Sequence, residues 1–146
     1  MASTDVGTDH GTLYHLVQQE VWQQCKAAAQ PYFPPTYGAD GFIHLTKEPQ
    51  LLLGVANHFY SQVPGTFLVL AIDSPKLSSK VVFEPAAPVG DQPPLEKQQL
   101  FPHLYGTIDF AAVSAELPVE RAADGTFLAI VGLTEQSPAV PGLVNV

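Results

Sequence analysis

The sequence predicts an α+β domain of mostly antiparallel strands, and three observations carry that reading. Six short β-rich segments and two helical ones follow one another in mixed rather than alternating order. The 11 glycines and 14 prolines cut a chain of 146 residues into short pieces. The composition is 46% hydrophobic and only 14% charged, enough apolar material for one core without metal or disulfide support. A single domain is predicted over residues 12–133, with both helices in its N-terminal half. Residues 1–11 are small and polar, and 134–146 contain Pro138, Pro141 and Gly142, so both are predicted to be disordered tails.

Residues 12–17 (TLYHLV) read as the first strand. A helix follows over 19–29, with Val21, Trp22, Cys25, Ala28 and Ala29 on one face, and Pro31 ends it. A loop rich in Pro and Tyr (31–38) delivers the apolar run 41–46 (GFIHLT), whose Thr46 is placed to cap the next helix. That helix is predicted over 48–60, with Pro49 tolerated in its first turn and Leu52, Leu53, Val55, Ala56 and Phe59 inward. Residues 66–73 (TFLVLAID) are nearly all apolar, as in a central strand buried on both faces, and 80–84 (KVVFE) read as its neighbour. The four prolines within 85–94 impose a loop. Residues 101–106 (FPHLYG) then lead into 112–120, where Val113, Ala115, Leu117 and Val119 alternate, and Asp124-Gly125 turns the chain into a last strand over 126–131.

Six lysines and arginines against 14 acidic residues give a net charge of −8, and Arg121 is the only arginine. Nucleic-acid binding needs several cations on phosphates, so a DNA or RNA partner is not expected, nor is an anionic membrane surface. One cysteine, Cys25, rules out an internal disulfide or a Cys-based zinc site; it reads as a small core residue and fits a reducing compartment. Without an 18-residue apolar run or a signal-peptide pattern, a cytoplasmic protein is expected.

Three of the five histidines share a setting: Tyr14-His15-Leu16, Ile43-His44-Leu45 and Pro102-His103-Leu104. An imidazole between large apolar residues is costly to bury without a partner, so its repetition suggests one polar site inside an apolar domain. The competing view is that each is a core histidine bonded to a backbone carbonyl. Asp40, Asp73 and Glu84 are candidates to orient an imidazole, or serve only in turns. Tyr14, Phe42, Phe101 and Tyr105 lie near the histidines and could stack on a flat ring. No GxSxG elbow, HExxH, GxGxxG or Walker-type loop occurs, which argues against serine hydrolases, zincins and doubly wound nucleotide folds.

The strings LYHLV, ADGFIHLT, VANHFY, LVLAID and FPHLYG, in this order over residues 12–128, resemble the family of domain of unknown function 952. The resemblance implies a fold similar to ADP-ribosyltransferases, in which two small antiparallel sheets form a cleft for NAD. LYHLV resembles their first-strand motif, which gives His15 a contact to the nicotinamide-side ribose. GFIHLT resembles the second motif of the NAD-dependent RNA 2′-phosphotransferases, which makes His44 a ligand-contacting residue with Thr46 beside it. Where many of those enzymes place a glutamate, FPHLYG offers His103 and Tyr105.

The functional expectation is a cleft for NAD or a related nucleotide-like small molecule. His44 and His103 are its catalytic candidates, and His15, Tyr14, Phe42, Thr46, Phe101 and Tyr105 its binding candidates. The reaction would be ADP-ribosyl or related transfer. The alternatives are a non-catalytic binding module of the same fold and a protein with a His-ligated metal.

Overall fold

The computed structural model describes residues 8–85 and 100–133, and their strands form two antiparallel sheets. In the first, β1 (Thr12–Gln18) and β6 (Val113–Arg121) flank β3 (Phe67–Asp73), and β7 (Phe127–Ile130) closes the far side. In the second, β5 (Leu100–Tyr105) lies between β2 (Ile43–His44) and β4 (Lys80–Pro85). Apolar residues on both faces of β3 fix its central place: Leu68, Leu70 and Ile72 join a core shared with Ile43, Leu45, Val81 and Leu104 of the second sheet. Phe67 and Val69 turn the other way, onto Leu52 and Ala56 of α3 (Leu52–Tyr60). β1 follows the same rule, with Leu13 and Val17 facing the second sheet and Leu16 facing α3.

The segment after β2 joins the sheets. His44 pairs with His103 in the second sheet, Leu45 N–H donates to Pro102 C=O at 3.0 Å, and Thr46 and Tyr14 then exchange two main-chain bonds of 2.8 Å across the first sheet's edge. Thr46 is therefore a bridging residue and not the helix cap predicted for it. α3 is instead entered through a 3₁₀ turn, Pro49–Leu51, with no side-chain cap.

Three further expectations need correction. Residues 80–84 form a strand but pair with β5 rather than with β3, because both sides of β3 are taken by β1 and β6. Residues 100–105 form the central strand of the second sheet despite Pro102. The N and C=O of a strand residue point to the same side, and those of Pro102 face Leu45, where the chain leaves β2 for β1, so the missing N–H spares the ladder to β4 and forgoes only the return bond to Leu45 at the end of β2. Ala28 and Ala29 are exposed at the end of α1 (Gln19–Ala28), whose core contacts come from Trp22, Val21 and Cys25.

The loop over 31–38 also contributes to a one-turn helix, α2 (Tyr37–Asp40), closed by Gly41 at φ 83, a left-handed conformation that suits glycine. The predicted disordered tails fall mostly outside the described residues, as does most of the loop expected over 85–94. His10 and Gly11, assigned to the first tail, are docked: Ser74 Oγ–H donates to Gly11 C=O at 2.7 Å and accepts His10 N–H at 2.8 Å. Among the described residues no helix is long and apolar enough to cross a membrane.

Candidate functional site

β2 and β5 place His44 and His103 directly opposite each other, and in antiparallel pairing opposed residues project to the same face. Their ring centroids are 5.6 Å apart. Phe42 stacks on His103 at 4.0 Å and meets His44 edge-on at 4.8 Å. Two-residue alternation puts Phe101 and Tyr105 on that face of β5, while Leu104 and Ile43 turn into the core.

Each imidazole is backed by a carboxylate. His44 Nε2–H donates to Asp40 Oδ2 at 2.9 Å, and His103 Nδ1–H donates to Glu84 Oε1 at 2.7 Å. A carboxylate accepts only, so these bonds fix the tautomer of each neutral ring and leave His44 Nδ1 and His103 Nε2 as the remaining nitrogens. Neither of those two bonds to a described residue. The supports differ: the Asp40 side chain is 6% exposed, that of Glu84 34%. Burial lowers the His44 pKa against the opposing hydrogen bond and charge of Asp40, and neighbouring His103 lowers it further. His44 is therefore neutral near pH 7, with Nδ1 a bare acceptor. Glu84 also accepts the Tyr105 hydroxyl at 2.7 Å; that bond, ahead of His103, holds its carboxyl below the usual range and pushes the Tyr105 hydroxyl up to about 12.

His15 projects from β1 into the space between the sheets rather than onto the face of the pair. It is 3% exposed, and both nitrogens are used: Nδ1 against His44 C=O at 2.8 Å and Nε2 against the Tyr32 hydroxyl at 2.8 Å. A carbonyl only accepts, so Nδ1 carries the proton and Tyr32 donates to Nε2. Burial lowers the His15 pKa to about 4, so this ring is neutral across the physiological range. Tyr14 packs against the α3 side of the first sheet, and Thr46 is buried at the bridge. Of the candidates, the fold thus gathers His44, His103, Phe42, Phe101 and Tyr105, puts His15 behind them, and places Tyr14 and Thr46 elsewhere.

A largely apolar cavity of about 270 Å³ has Leu16, Val17, Tyr32, Pro34, Tyr60 and Phe67 in its lining, and its links to the imidazole pair run through Tyr32, which holds His15, and through Tyr60. Tyr60 belongs electrostatically to both: burial first and the Asp40 charge second push its hydroxyl up to about 12. Asp40 and Glu84 serve the orienting role weighed for them in the sequence, whereas Asp73 pairs at the surface with Lys76 at 3.6 Å. The sequence reading missed Tyr32 and Tyr60; Tyr32 sits far from any histidine in the chain, and Tyr60 follows only His58, which lies outside the repeated His-Leu pattern. Among the described residues no group of three or more His, Cys, Asp or Glu side chains is arranged to hold a metal ion.

A family model described as protein of unknown function (DUF952) matches residues 16–116. No match was found among curated proteins. The chain is similar to the crystal structure of protein CC0527 from Caulobacter crescentus, with 22% identity, a TM-score of 0.64, and coverage of 81% of this chain and 94% of that one. A double-mutant crystal form of the same protein gives 21% identity and a TM-score of 0.64, and its solution NMR structure 23% and 0.58, the latter covering 78% of this chain and 89% of that one. At these identities the likeness is one of fold.

Proposed function

The chain belongs to the DUF952 family, and we propose that it binds a nucleotide-like small molecule, with NAD the first to test, using the His44–His103 face and the apolar cavity lined by Tyr32 and Tyr60. The observation that carries this reading is the pair of opposed imidazoles, each tied by one nitrogen to a carboxylate and each with its other nitrogen bonded to no described residue. Perturbed titratable groups beside an apolar cavity are the usual composition of a small-molecule site. The cavity suits one flat uncharged ring, and the aromatic residues around the pair suit a second ring or a sugar face.

ADP-ribosyltransferase-like use of the two sheets fits this reading, with one change of parts. His44 and His103 meet the ligand, whereas His15 supports them from behind. NAD would supply a glycosidic bond with a good leaving group. His44 Nδ1, a neutral acceptor, can take a proton from an attacking hydroxyl or water, and His103 Nε2 can hold a hydrogen bond at the opposite side of the same bond. Phe42 and Tyr105 would keep bulk water from that space.

Thermal denaturation with NAD, ADP-ribose and nicotinamide tests the reading, since a ligand at one hundred times its Kd adds about 2.7 kcal/mol. The expected result is stabilisation by a nucleotide that is lost in His44→Ala and His103→Ala. No shift with any of the three overturns it. Nicotinamide release by wild type above the His44→Ala rate marks an enzyme; binding with equal rates marks a non-catalytic module.

A further inference from the structure

His44 C=O lies where neither sheet supplies a partner. Its residue forms the last pair of β2 with β5, the next N–H turns to Pro102, and Thr46 already belongs to the first sheet. The His15 ring fills that gap from β1, donating from Nδ1 to the carbonyl, and the Tyr32 hydroxyl donates into His15 Nε2 from beyond. Tyr32 is 1% exposed and meets Trp22 edge-on at 5.3 Å, so the outer end of the chain of bonds is fixed by the core.

We infer that His15 and Tyr32 are positioning residues: a buried strut of two hydrogen bonds that fixes the His44 main chain at the junction of the sheets and so aims the His44 imidazole at Asp40 and at the ligand face. The importance of that aim rests on the proposed binding role of His44, but the strut itself does not. Without it, the carbonyl would have to find another donor, and the short β2 has only two ladder pairs to hold its direction. A shift of a few tenths of an ångström at this carbonyl moves the ring's bond to Asp40, because both belong to one residue.

The test is the His44 ring itself, read by long-range proton–nitrogen spectra of the ¹⁵N-labelled full chain through a pH titration. Asp40, His103 and His15 are the titratable groups named around that ring, so their variants must be kept out of the comparison apart from those intended at His15. In wild type, His44 should hold one tautomer, protonated at Nε2, with a midpoint below the ordinary histidine value. In Tyr32→Phe, which keeps the ring packing and removes the donor, the bond to Asp40 that holds the midpoint up is loosened, so the midpoint should fall further, by about half a pH unit, and the tautomers should mix. His15→Leu should do the same or more, while His15→Asn, which retains a donor towards the carbonyl, should return most of the wild-type signature. A wild-type His44 titration and tautomer in folded Tyr32→Phe overturns the inference, whatever the His15 variants do. Failure of NAD to bind would leave this result standing, since the measurement uses the free protein.

Discussion

His15 and His103 are almost equally hidden, at 3% and 2% exposed, yet they occupy opposite kinds of place. His15 sits between the sheets with both nitrogens bound to protein, one by a main-chain oxygen and one by a phenol. His103 lies on the outer face of the second sheet with one nitrogen on Glu84, a carboxylate that is itself a third exposed. Burial alone therefore does not separate a structural imidazole from a working one. The fate of the second nitrogen does, and the difference should appear as a division of labour between stability and binding.

The largest expected effect breaks the structural half of that comparison. His15→Leu keeps a comparable volume but leaves His44 C=O and the Tyr32 hydroxyl buried without partners. At about 1–3 kcal/mol for each orphaned group, the loss should be about 4 kcal/mol in urea denaturation. His103→Leu orphans only the Glu84 side, where water is at hand, and should cost about 1 kcal/mol. Equal losses from the two substitutions would dissolve the distinction.

Acid should act on the same half. An unfolded His15 titrates near 6.5 and the folded one only near 4, so between those values the unfolded state binds more protons and stability falls as pH falls. The stabilising contribution is complete above pH 6.5 and is lost progressively towards pH 4, to a total of about 3 kcal/mol. His44, also lowered by burial, works in the same direction. Urea midpoints from pH 7 to pH 4 should therefore slope downward in wild type, and the slope should flatten in His15→Asn. A slope unchanged by that substitution would place the acid sensitivity elsewhere.

Much of this was legible in the sequence, and the parts that were not share a cause. The apolar run of β3 announced burial on both faces, and the repeated His-Leu pairs pointed to His44 and His103. His15 carries the same local pattern, but which face of β1 meets the second sheet depends on pairing with β3 and Thr46, residues more than thirty positions away. β5 was obscured by Pro102, which the strand tolerates because its nitrogen faces the short β2 and not the long ladder to β4. Tyr32 had no local signal, because its role is defined only by the ring it meets across the core. Local chemistry was readable; the assignment of an imidazole to one side of a sheet was a tertiary matter.

The carboxylates sharpen the working half, and they too differ. Asp40→Asn retains an acceptor for His44 Nε2–H but removes a buried charge, with a loss of about 1 kcal/mol and a further fall in the His44 midpoint, visible by NMR titration. Tyr60 should ionise more readily in the same variant, since the Asp40 charge is one of the two causes that raise it. Unmoved His44 and Tyr60 titrations would separate Asp40 from the site.

Glu84→Gln should have the smallest effect on stability and a selective one on binding. Its side chain is a third exposed, so its bond to His103 is screened by water and the change in stability should stay within about 0.5 kcal/mol. The amide can still accept from one donor, but Glu84 Oε1 now serves both His103 Nδ1–H and the Tyr105 hydroxyl. An uncharged oxygen holds the two less firmly, and the Tyr105 hydroxyl should fall from about 12 towards its ordinary value. If the pair of imidazoles is the ligand site, nucleotide affinity should drop about tenfold, the weight of one charge-assisted bond. A variant that loses stability but keeps affinity would make His103 a second structural histidine and leave His44 alone on the face.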